Sequence, residues 1–526
     1  MNLSTEPWIP VLRDDGTRQR VSLEQAFAEA ERIRDLAVRP HERIALIRLL
    51  LCVAHAGLNG PKNHDDWLGC QQRIAPAALK HLNAHCEKFE LFGNGPRFGQ
   101  LYSGTKRAPR PSAKHPTWAS KLELVLATGN NPTVFDNAGV VAREFKPLDL
   151  ARMLVTYQAF SPLVGRGYKG RSPCVEANML HSLLRGQTLL ESIWLNLLDR
   201  KTVEETYGAR AWGQPIWLRM PAQRSDSVAI ANATKTYLGR LCPLPRAIWL
   251  VDNFRAIALD NGLVYPAWTG EPAEPTATTV TPAKRERRVL AVQLDRSIWR
   301  DLPALAAKRR SDGPRGALAW QRFPEDRACD FWVGGLATDH KAKVLNAVES
   351  SFPLPKNASS DEFLSFYSGG VRYAEDWATA LERGLMAYRR RLGDNLGRRK
   401  AGKRARPPGV RHEYAVPDNL GRRKAGKRAR LLKQKAAVHF WTAIEAAARD
   451  VLIPRCANPL DELKCAAPYY LDYSRDESRW GPLVKRAAED ALAIACPRAS
   501  ARQAAAFGEG RLEMLRRQPA PKRETE

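Results

Sequence analysis

The C-terminal third of the chain has the clearest pattern of apolar and polar positions. Beyond Arg372, apolar side chains recur at three- and four-residue spacing, which is typical of helices with one buried face. The first such face comprises Tyr373, Trp377, Leu381, Leu385 and Tyr388, and the second Val438, Trp441, Ile444, Ala448 and Val451. Alanine-rich segments at 483–496 and 500–517 complete a predicted bundle of four helices.

Between about residues 212 and 350 short apolar runs alternate with turn signals, which indicates strands. Residues 331–345 are predicted to form a hairpin with its tip at 337–341, so that Thr338, Asp339, His340 and Lys341 point outward. A polar tip is ordinarily just solvated, so a function for this one depends on other evidence. The other predicted strands are 122–126, 216–218, 247–251, 256–259 and 289–294, and an N-terminal hairpin is predicted from 8–12 and 19–21.

Helix starts in the first 200 residues are marked by capping boxes and by prolines in a first turn. The predicted helices begin after Ser22, cover 40–56, 76–89 and 148–159, and run from Thr188 to Leu198. Together these patterns predict an α+β fold. A large mixed domain would cover residues 1–365, and a C-terminal four-helix bundle would cover 366–526.

The composition adds a strong positive charge to this picture. The chain has 83 Lys and Arg against 56 Asp and Glu, a net charge of +27. A chain this basic most often binds nucleic acid, and an anionic membrane surface or an acidic protein comes second. No apolar run approaches the ~18 residues of a membrane span, and the N-terminus does not resemble a signal peptide.

The nine cysteines are odd in number and scattered, with no C-x-x-C pair. They favour neither a disulfide framework nor a zinc ribbon, and they fit a reducing cytoplasm. His81 and His85 are spaced to share a metal, with Cys86 beside them, but without a third partner a half-buried helix is the better interpretation. We expect no metal and no cofactor.

The segment 160–173 combines glycines with positive charge. Gly165, Gly167 and Gly170 allow close approach of the backbone to a ligand, while Arg166 and Lys169 supply phosphate-seeking charge. We interpret it as a loop held against a polyanion, and the alternative is an ordinary surface loop.

A second turn-rich loop covers 127–139 and carries Asn130, Asn131 and Phe135. Asn residues tolerate unusual backbone angles and donate hydrogen bonds. Phe135 has two interpretations, an anchor in the core or a platform that stacks on a base.

Residues 394–406 and 418–430 are identical, and both copies are almost entirely basic. The repeat carries Arg398, Arg399 and Lys400 in its first copy and Arg422, Arg423 and Lys424 in its second. It could grip a phosphate backbone, and the alternative is a flexible solvated arm between two helices. Without the ten net charges of the two copies the chain stays near +17 (27 − 10), so the basic character does not depend on them.

The chain has no G-x-x-x-x-G-K-[ST] loop, no G-x-S-x-G elbow and no H-E-x-x-H. The sequence therefore gives no positive case for an enzyme. A nuclease with a spatially assembled active site and a basic scaffold for RNA or protein are the alternatives to a non-catalytic DNA-binding protein.

Several stretches resemble, in order, the large subunit (CasA family) of the type I-E CRISPR surveillance complex, Cascade. They are Pro7–Val11, Phe89–Gln100, Gly129–Asn137, Gln158–Lys169, Tyr237–Leu250 and Val333–Lys341. The resemblance covers nearly the whole chain and implies a non-catalytic subunit of an RNA-guided complex. Such a subunit reads a short protospacer-adjacent motif (PAM) on duplex DNA, starts strand separation and presents the complex to a helicase-nuclease.

The resemblance also implies roles for residues. Gly165, Arg166, Gly167 and Lys169 would approach the DNA minor groove, whose degenerate pattern implies relaxed PAM choice. His340 at the hairpin tip, with Thr338, Asp339 and Lys341, would act as a wedge between base pairs.

Asn130, Asn131 and Phe135 would meet the guide-RNA handle and the PAM. Arg255 is the basic residue nearest to the family's minor-groove lysine. Some relatives hold zinc with two cysteine pairs, and this chain has no cysteine at the corresponding positions, so the resemblance implies no zinc. The implied partners are double-stranded target DNA, CRISPR RNA, the other Cascade subunits and the helicase-nuclease.

Overall fold

The computed structural model describes residues 1–93, 95–101, 117–126, 143–161, 172–251, 254–268, 274–281, 286–308, 313–339, 344–393, 419–465 and 470–516. For residues 419–429 it describes the backbone alone. The chain folds into two compact units, Met1–Lys356 and Asn357–Glu526. Residue 365, where we expected the first domain to end, lies inside the first helix of the second unit.

The first unit mixes helices with short strands. In its described residues the helices are α1 Leu23–Ala28, α2 Pro40–Leu58, α3 His64–Leu68, α4 Gln71–Ala84, α5 Pro147–Phe160, α6 Leu189–Asn196, α7 Arg200–Tyr207, α8 Ser227–Lys235, α9 Tyr237–Leu241, α10 Leu302–Leu305 and α11 Leu318–Arg322. The strands are β1 Ile9–Arg13, β2 Arg18–Val21, β3 Ile33–Leu36, β4 Thr117–Trp118, β5 Leu180–Arg185, β6 Arg246–Leu250, β7 Ala256–Asn261, β8 Thr279–Val280, β9 Arg288–Val289, β10 Cys329–Thr338 and β11 Val344–Leu354.

The described strands form small antiparallel sheets. Their orders are β2-β1-β3, β11-β10-β5 and β4-β7-β6, with β8 and β9 as a separate pair. The predicted hairpin at 331–345 is confirmed as β10 and β11, which pair from Cys329–Leu354 to Thr338–Val344. The N-terminal hairpin is confirmed as β1 and β2, joined through the Asp-Asp-Gly turn.

Helix α2 lies at the centre of the first unit and is buried along most of its length. It begins at Pro40, as predicted, but it continues past Gly57 and ends where Asn59 takes a left-handed φ of 54°. Gly57 lies inside the helix. A Cβ at this position would collide with the backbone of Ala77 in α4, so glycine permits the close packing of the two helices.

A buried ion triad joins α2 to two other segments. Glu274, 2% exposed, accepts hydrogen bonds from Arg48 of α2 at 3.3 Å and from Arg240 of α9 at 3.1 Å. Burial alone would raise the pKa of Glu274, but the two guanidinium groups outweigh burial and hold this pKa below its ordinary value. Two residues after Glu274, the carbonyl of Thr276 accepts a hydrogen bond from the N–H of Ser182 in β5. The triad therefore helps to position β5.

Four sequence predictions were wrong in detail. The predicted helix 76–89 is displaced: α4 begins at Gln71 with Pro76 in its interior, and a 3-10 helix covers Cys86–Phe89. The predicted strand 122–126 is not a strand: Leu122 ends a 3-10 helix and 123–126 follow it without strand pairing. Of the predicted strand 289–294, only Val289 belongs to a strand. The run 216–218 is a turn. Its apolar residues Ile216 and Trp217 are nevertheless buried, through packing and not through strand pairing.

The second unit is helical. Its described helices are α12 Asp361–Arg391, α13 Asn419–Ala447, α14 Ile453–Ala457, α15 Trp480–Ala495 and α16 Ala501–Leu515, and α13 continues into a π-helix at Ala448–Leu452. The four long helices confirm the predicted bundle. Helices α12 and α16 approach closely at Gly384 and Gly510, where a Cβ on either residue would press on the other's carbonyl.

The second copy of the basic repeat has a helical backbone from Asn419 and is continuous with α13. The described backbone of this copy is therefore a helical extension of α13. The first copy lies outside the described residues. None of the helices in the described part of the chain combines the length and the apolar character that a membrane crossing needs.

We expect Glu274→Ala to destabilise the protein by about 3–5 kcal/mol, because it leaves two buried guanidinium groups without their counter-charge. The pKa of Glu274 is lowered in the folded protein, so its contribution is present at neutral pH and is lost as the pH falls below about 4. Denaturant unfolding at pH 7 and at acid pH measures both effects.

Glu205→Ala is the matched control, since Glu205 is 66% exposed and pairs only loosely with Lys201. It should change the free energy of unfolding by about 0.5 kcal/mol or less. Equal effects of the two substitutions would contradict the role of the triad.

Candidate nucleic-acid interface

The two residues that flank the glycine-rich loop, Ser161 and Ser172, meet inside the protein, and we call this pair the root of the glycine loop. Ser161, which follows α5, and Ser172 are both fully buried. The N–H of Ser172 donates to the carbonyl of Ser161 at 3.1 Å, and the Ser172 hydroxyl donates to the carbonyl of Ala159. Residues 162–171, with Gly165, Arg166, Gly167 and Lys169, lie outside the described residues. The described residues on either side of this segment, Ser161 and Ser172, are therefore in direct contact.

The chain after the loop leads directly to the predicted wedge hairpin. A 3-10 turn at Pro173–Asn178 ends with Ala177 and Asn178 at φ values of 51° and 53°. The Asn178 side chain then contacts Thr338, the last residue of β10. Asn178 lies six positions after Ser172, which is at most about 20 Å of extended chain.

Three hydrogen bonds join Asn178 to Thr338. The Asn178 amide nitrogen donates to the Thr338 carbonyl at 3.0 Å. The amide oxygen accepts from the Thr338 N–H at 3.2 Å and from its hydroxyl at 2.8 Å. Main-chain pairing of β5 with β10 stops at Leu180–Gly335, so the Asn178 amide extends this pairing toward the hairpin tip.

The expectation that Thr338 points outward is wrong. Thr338 is 5% exposed, because its hydroxyl and both main-chain polar groups face Asn178. Asp339 is exposed, and His340 and Lys341 lie outside the described residues. The outward part of the hairpin therefore begins one residue later than predicted.

A β-bulge lies beside the tip. Ala337 pairs with Asn346 and Thr338 with Val344, so Leu345 is an extra residue on β11. A bulge bends its strand and increases the local twist, which redirects the residues beyond it. The bulge on one strand and Asn178 on the other thus fix Thr338 and Val344, the last paired residues of the hairpin.

The root of the glycine loop is also tied to the β4-β7-β6 sheet. Gln158 in α5 is 3% exposed. Its amide nitrogen donates to the carbonyls of Gly99 and Arg246, each at 2.9 Å, and its oxygen accepts from the Arg246 N–H at 3.3 Å. The side chain thus pairs with the free edge of β6 as a neighbouring strand would.

The other end of β6 is covered in the same way. Gln100 donates to the carbonyl of Leu91 at 2.6 Å and accepts from the N–H of Leu250 at 2.9 Å. Arg97 donates to the Leu250 carbonyl at 2.8 Å and stacks 3.9 Å from the Trp249 ring centre. The roles of Gln158, Gln100 and Arg97 were not predicted from the sequence. The available signal was a glutamine, Gln158, in the mostly apolar last two turns of α5.

Arg255 lies apart from the root of the glycine loop. It pairs with Glu144 at 2.7 Å, both side chains being more than half exposed, and the N–H of Phe145 donates to the carbonyl of Phe254. These contacts are at the N-terminal end of α5, whereas Ser161 follows its C-terminal end. The 14 residues of α5 span about 20 Å. The structure therefore does not bring Arg255 close to Ser161.

His81 has a structural partner. The indole N–H of Trp217 donates to His81 Nε2 at 3.0 Å, and burial, with a smaller effect of His85, lowers the pKa of His81 to about 4. Within the described ranges no three His, Cys, Asp or Glu side chains are arranged to hold a metal.

The remaining candidate residues are not located by the structure. Asn130, Asn131 and Phe135 lie outside the described residues, as do Arg398, Arg399 and Lys400. For Arg422, Arg423 and Lys424 only the helical backbone of α13 is described.

The architecture defined here, a mixed unit with a helical bundle after it, has known counterparts. The family model described as "CRISPR-associated protein Cse1 (CRISPR_cse1)" matches residues 2–491. The chain therefore belongs to the Cse1 family. A CRISPR-associated protein CasA/Cse1 from Thermus thermophilus is 27% identical over 414 residues, which cover 72% of this chain and 76% of that protein.

Solved structures share the fold. The chain is similar to Thermus thermophilus CasA with a TM-score of 0.72 at 22% identity, covering 98% of this chain and 99% of that one. Thermobifida fusca Cse1 gives 0.68 at 19% identity, with 99% and 98% covered. A chain of a CRISPR RNA-guided surveillance complex gives 0.68 at 14% identity, with 98% and 99% covered. These matches confirm the predicted fold class.

We expect Gln158→Leu to destabilise the protein by about 2–4 kcal/mol, because the N–H and carbonyl of Arg246 and the carbonyl of Gly99 lose a buried partner. Gln72→Leu, the same change at an exposed position in α4, should stay within about 0.5 kcal/mol. Denaturant unfolding of both variants measures the difference. A Gln158→Leu protein as stable as the control would show that β6 does not need this amide.

Proposed function

We propose that this chain is a non-catalytic DNA-binding subunit of a type I-E Cascade-like, RNA-guided CRISPR complex in the cytoplasm. In this role it recognises the PAM in double-stranded target DNA, promotes strand separation and R-loop initiation, and helps to recruit the helicase-nuclease. Its other partners are the CRISPR RNA and the remaining Cascade subunits. Base pairing with the guide reads the sequence, while the protein reads the PAM and the DNA backbone.

The observation that carries the proposal is the link between the glycine loop and the hairpin. The loop returns to the fold at Ser172, and the turn that follows brings Asn178 to the last residue of β10. A reader of the PAM and a wedge beside the PAM must act on neighbouring base pairs. Elements joined through one short segment meet this requirement, and membership of the Cse1 family supports it.

The proposed reader is the segment Gly165–Lys169. Glycines let its backbone enter the minor groove, and Arg166 and Lys169 supply positive charge against the phosphates. We propose that Arg255 contacts the DNA separately from the segment Gly165–Lys169, because Arg255 lies at the opposite end of α5 from the root of the glycine loop.

The proposed wedge is His340 with Asp339 and Lys341 beside it. A side chain inserted between base pairs unstacks one step at a cost of a few kcal/mol. Thr338 belongs to the base of the wedge, where it fixes the strand end, rather than to its surface. Asn130, Asn131 and Phe135 are the proposed contacts with the guide-RNA handle and the PAM.

The basic repeat adds a further proposed contact with the phosphate backbone. The second copy continues α13 as a helix, so Arg422, Arg423 and Lys424 belong to an element anchored in the bundle. An ordered cationic helix keeps its charges in place and loses less chain entropy on binding DNA than a flexible arm would.

Binding and strand opening should separate in two single variants of the assembled, guide-loaded complex. Lys169→Ala should weaken binding to a PAM duplex and reduce the slope of log affinity against log salt concentration by about one. His340→Ala should leave initial binding nearly unchanged and slow R-loop formation about tenfold. Filter binding across salt concentrations and stopped-flow fluorescence measure the two steps.

Lys201→Ala serves as the charge-matched control, because Lys201 lies on α7 and is 69% exposed. It should leave both steps as in the wild type. Equal losses of binding and opening in the His340→Ala complex would contradict the wedge role. Cleavage of nucleic acid by the purified chain alone, abolished by one carboxylate substitution, would favour an enzyme instead.

Glutamine in place of Arg398, Arg399, Lys400, Arg422, Arg423 and Lys424 should flatten the salt dependence of duplex binding, because each lost phosphate contact removes one released counterion. The measurement is affinity at four or more salt concentrations in the assembled complex. Substitution rather than deletion keeps the start of α13 intact. An unchanged salt slope would mean that neither copy touches the DNA.

A further inference from the structure

Both polar atoms of the Asn178 side chain and its main-chain carbonyl form hydrogen bonds. The amide makes three hydrogen bonds with Thr338, and the Asn178 carbonyl accepts from the N–H of Val292 at 2.8 Å. The residue is 8% exposed. Its position is therefore fixed from the β10 side and from the segment at 292.

The backbone at this point is strained. Two consecutive non-glycine residues, Ala177 and Asn178, have positive φ. Asparagine tolerates this region better than most residues, while alanine rarely enters it. Such strain persists only where surrounding contacts impose it, and it concentrates at functional sites. Here the turn directs the Asn178 side chain toward Thr338 as the chain enters β5.

We propose that Asn178 is a positioning residue that fixes the wedge hairpin relative to the root of the glycine loop. This inference rests on the proposed function, since it assigns a role to the contact between the two elements. Asn178 touches neither DNA nor guide RNA on this proposal. It holds the end of β10, so that a duplex bound by the glycine loop meets the hairpin tip at one base step.

The contact should matter for strand opening far more than for binding. Duplex binding depends on the charge and shape of the glycine loop. The root of that loop, Ser161 and Ser172, is held by its own hydrogen bond and does not need the contact between Asn178 and Thr338. Opening needs the tip aimed at one step, and a tip without the Asn178 contact samples several directions. Catalysed steps lose rate steeply when a positioned group is displaced by about 1 Å.

The chain offers a closely matched pair of variants. Asn178→Gly keeps the left-handed backbone accessible and removes only the amide. Ala177→Gly makes the same kind of change one residue earlier and leaves the amide in place. Both variants alter the entropy of the unfolded chain similarly, so a difference between them reports the contact with Thr338.

Thr338 allows the contact to be tested from the other side. Thr338→Val has nearly the same shape and lacks only the hydroxyl that donates to Asn178. Thr338→Ser retains the hydroxyl. We expect serine to behave as the wild type, and valine to show a smaller form of the Asn178→Gly defect, since two of the three hydrogen bonds remain.

The experiment uses the assembled, guide-loaded complex and two DNA probes. One is a closed duplex with a PAM and a 2-aminopurine beside it, and the other carries a short mismatched bubble at that position. Asn178→Gly should open the closed duplex about tenfold more slowly, the effect of losing hydrogen bonds of ordinary strength. Its affinity should stay within about twofold of the wild type, and the bubble should restore its rate. Ala177→Gly should match the wild type on both probes.

Other outcomes would overturn the inference. Asn178→Gly opening the closed duplex at the wild-type rate would remove the role of the contact. Equal slowing on the closed and bubble probes, or equal slowing by Ala177→Gly, would show that the turn serves folding alone. If instead the wild-type complex fails to bind or open the PAM duplex, the proposed function fails first and this inference falls with it.

Discussion

The geometry of the candidate site depends on the contact between Asn178 and the end of β10. Main-chain pairing between β5 and β10 ends three residues before the strand does, at Gly335. From there the Asn178 amide takes over and holds Thr338 by its N–H, carbonyl and hydroxyl. The same residue terminates the turn that leads out of the glycine loop. A single side chain therefore connects two segments that are distant in sequence.

The rest of the first unit keeps this contact in place. The buried triad of Arg48, Glu274 and Arg240 joins α2 and α9 to the segment that pairs with β5. Gln158 fixes the last turn of α5, from which the glycine loop departs, against the edge of β6. The triad joins its segments through buried opposite charges, whereas the Gln158 amide substitutes for main-chain pairing at the edge of β6. The loop and the hairpin are thus supported by rigid elements on each side, as a site that must hold its geometry requires.

Local signals predicted much of the fold. The cap at Ser22, the proline start of α2, the β10–β11 hairpin and the four bundle helices all follow from residues near in sequence. Pro76 shows where a local rule failed, because helix α4 accommodates proline in its interior while it packs on α2. The outward orientation expected for Thr338 failed for another reason. Its partner lies 160 residues earlier, and hairpin alternation cannot foresee a contact at that separation.

The central claim is that the glycine loop and the hairpin tip act on the same base step of the target duplex. Photo-crosslinking tests it directly: a single 4-thiothymidine is placed beside the PAM of a duplex bound to the assembled complex, and the crosslinked peptides are identified by mass spectrometry. Our account predicts crosslinks to both 162–171 and 339–343 from that one position. Crosslinks to only one of these segments, with the other reached from a distant position or from none, would contradict it.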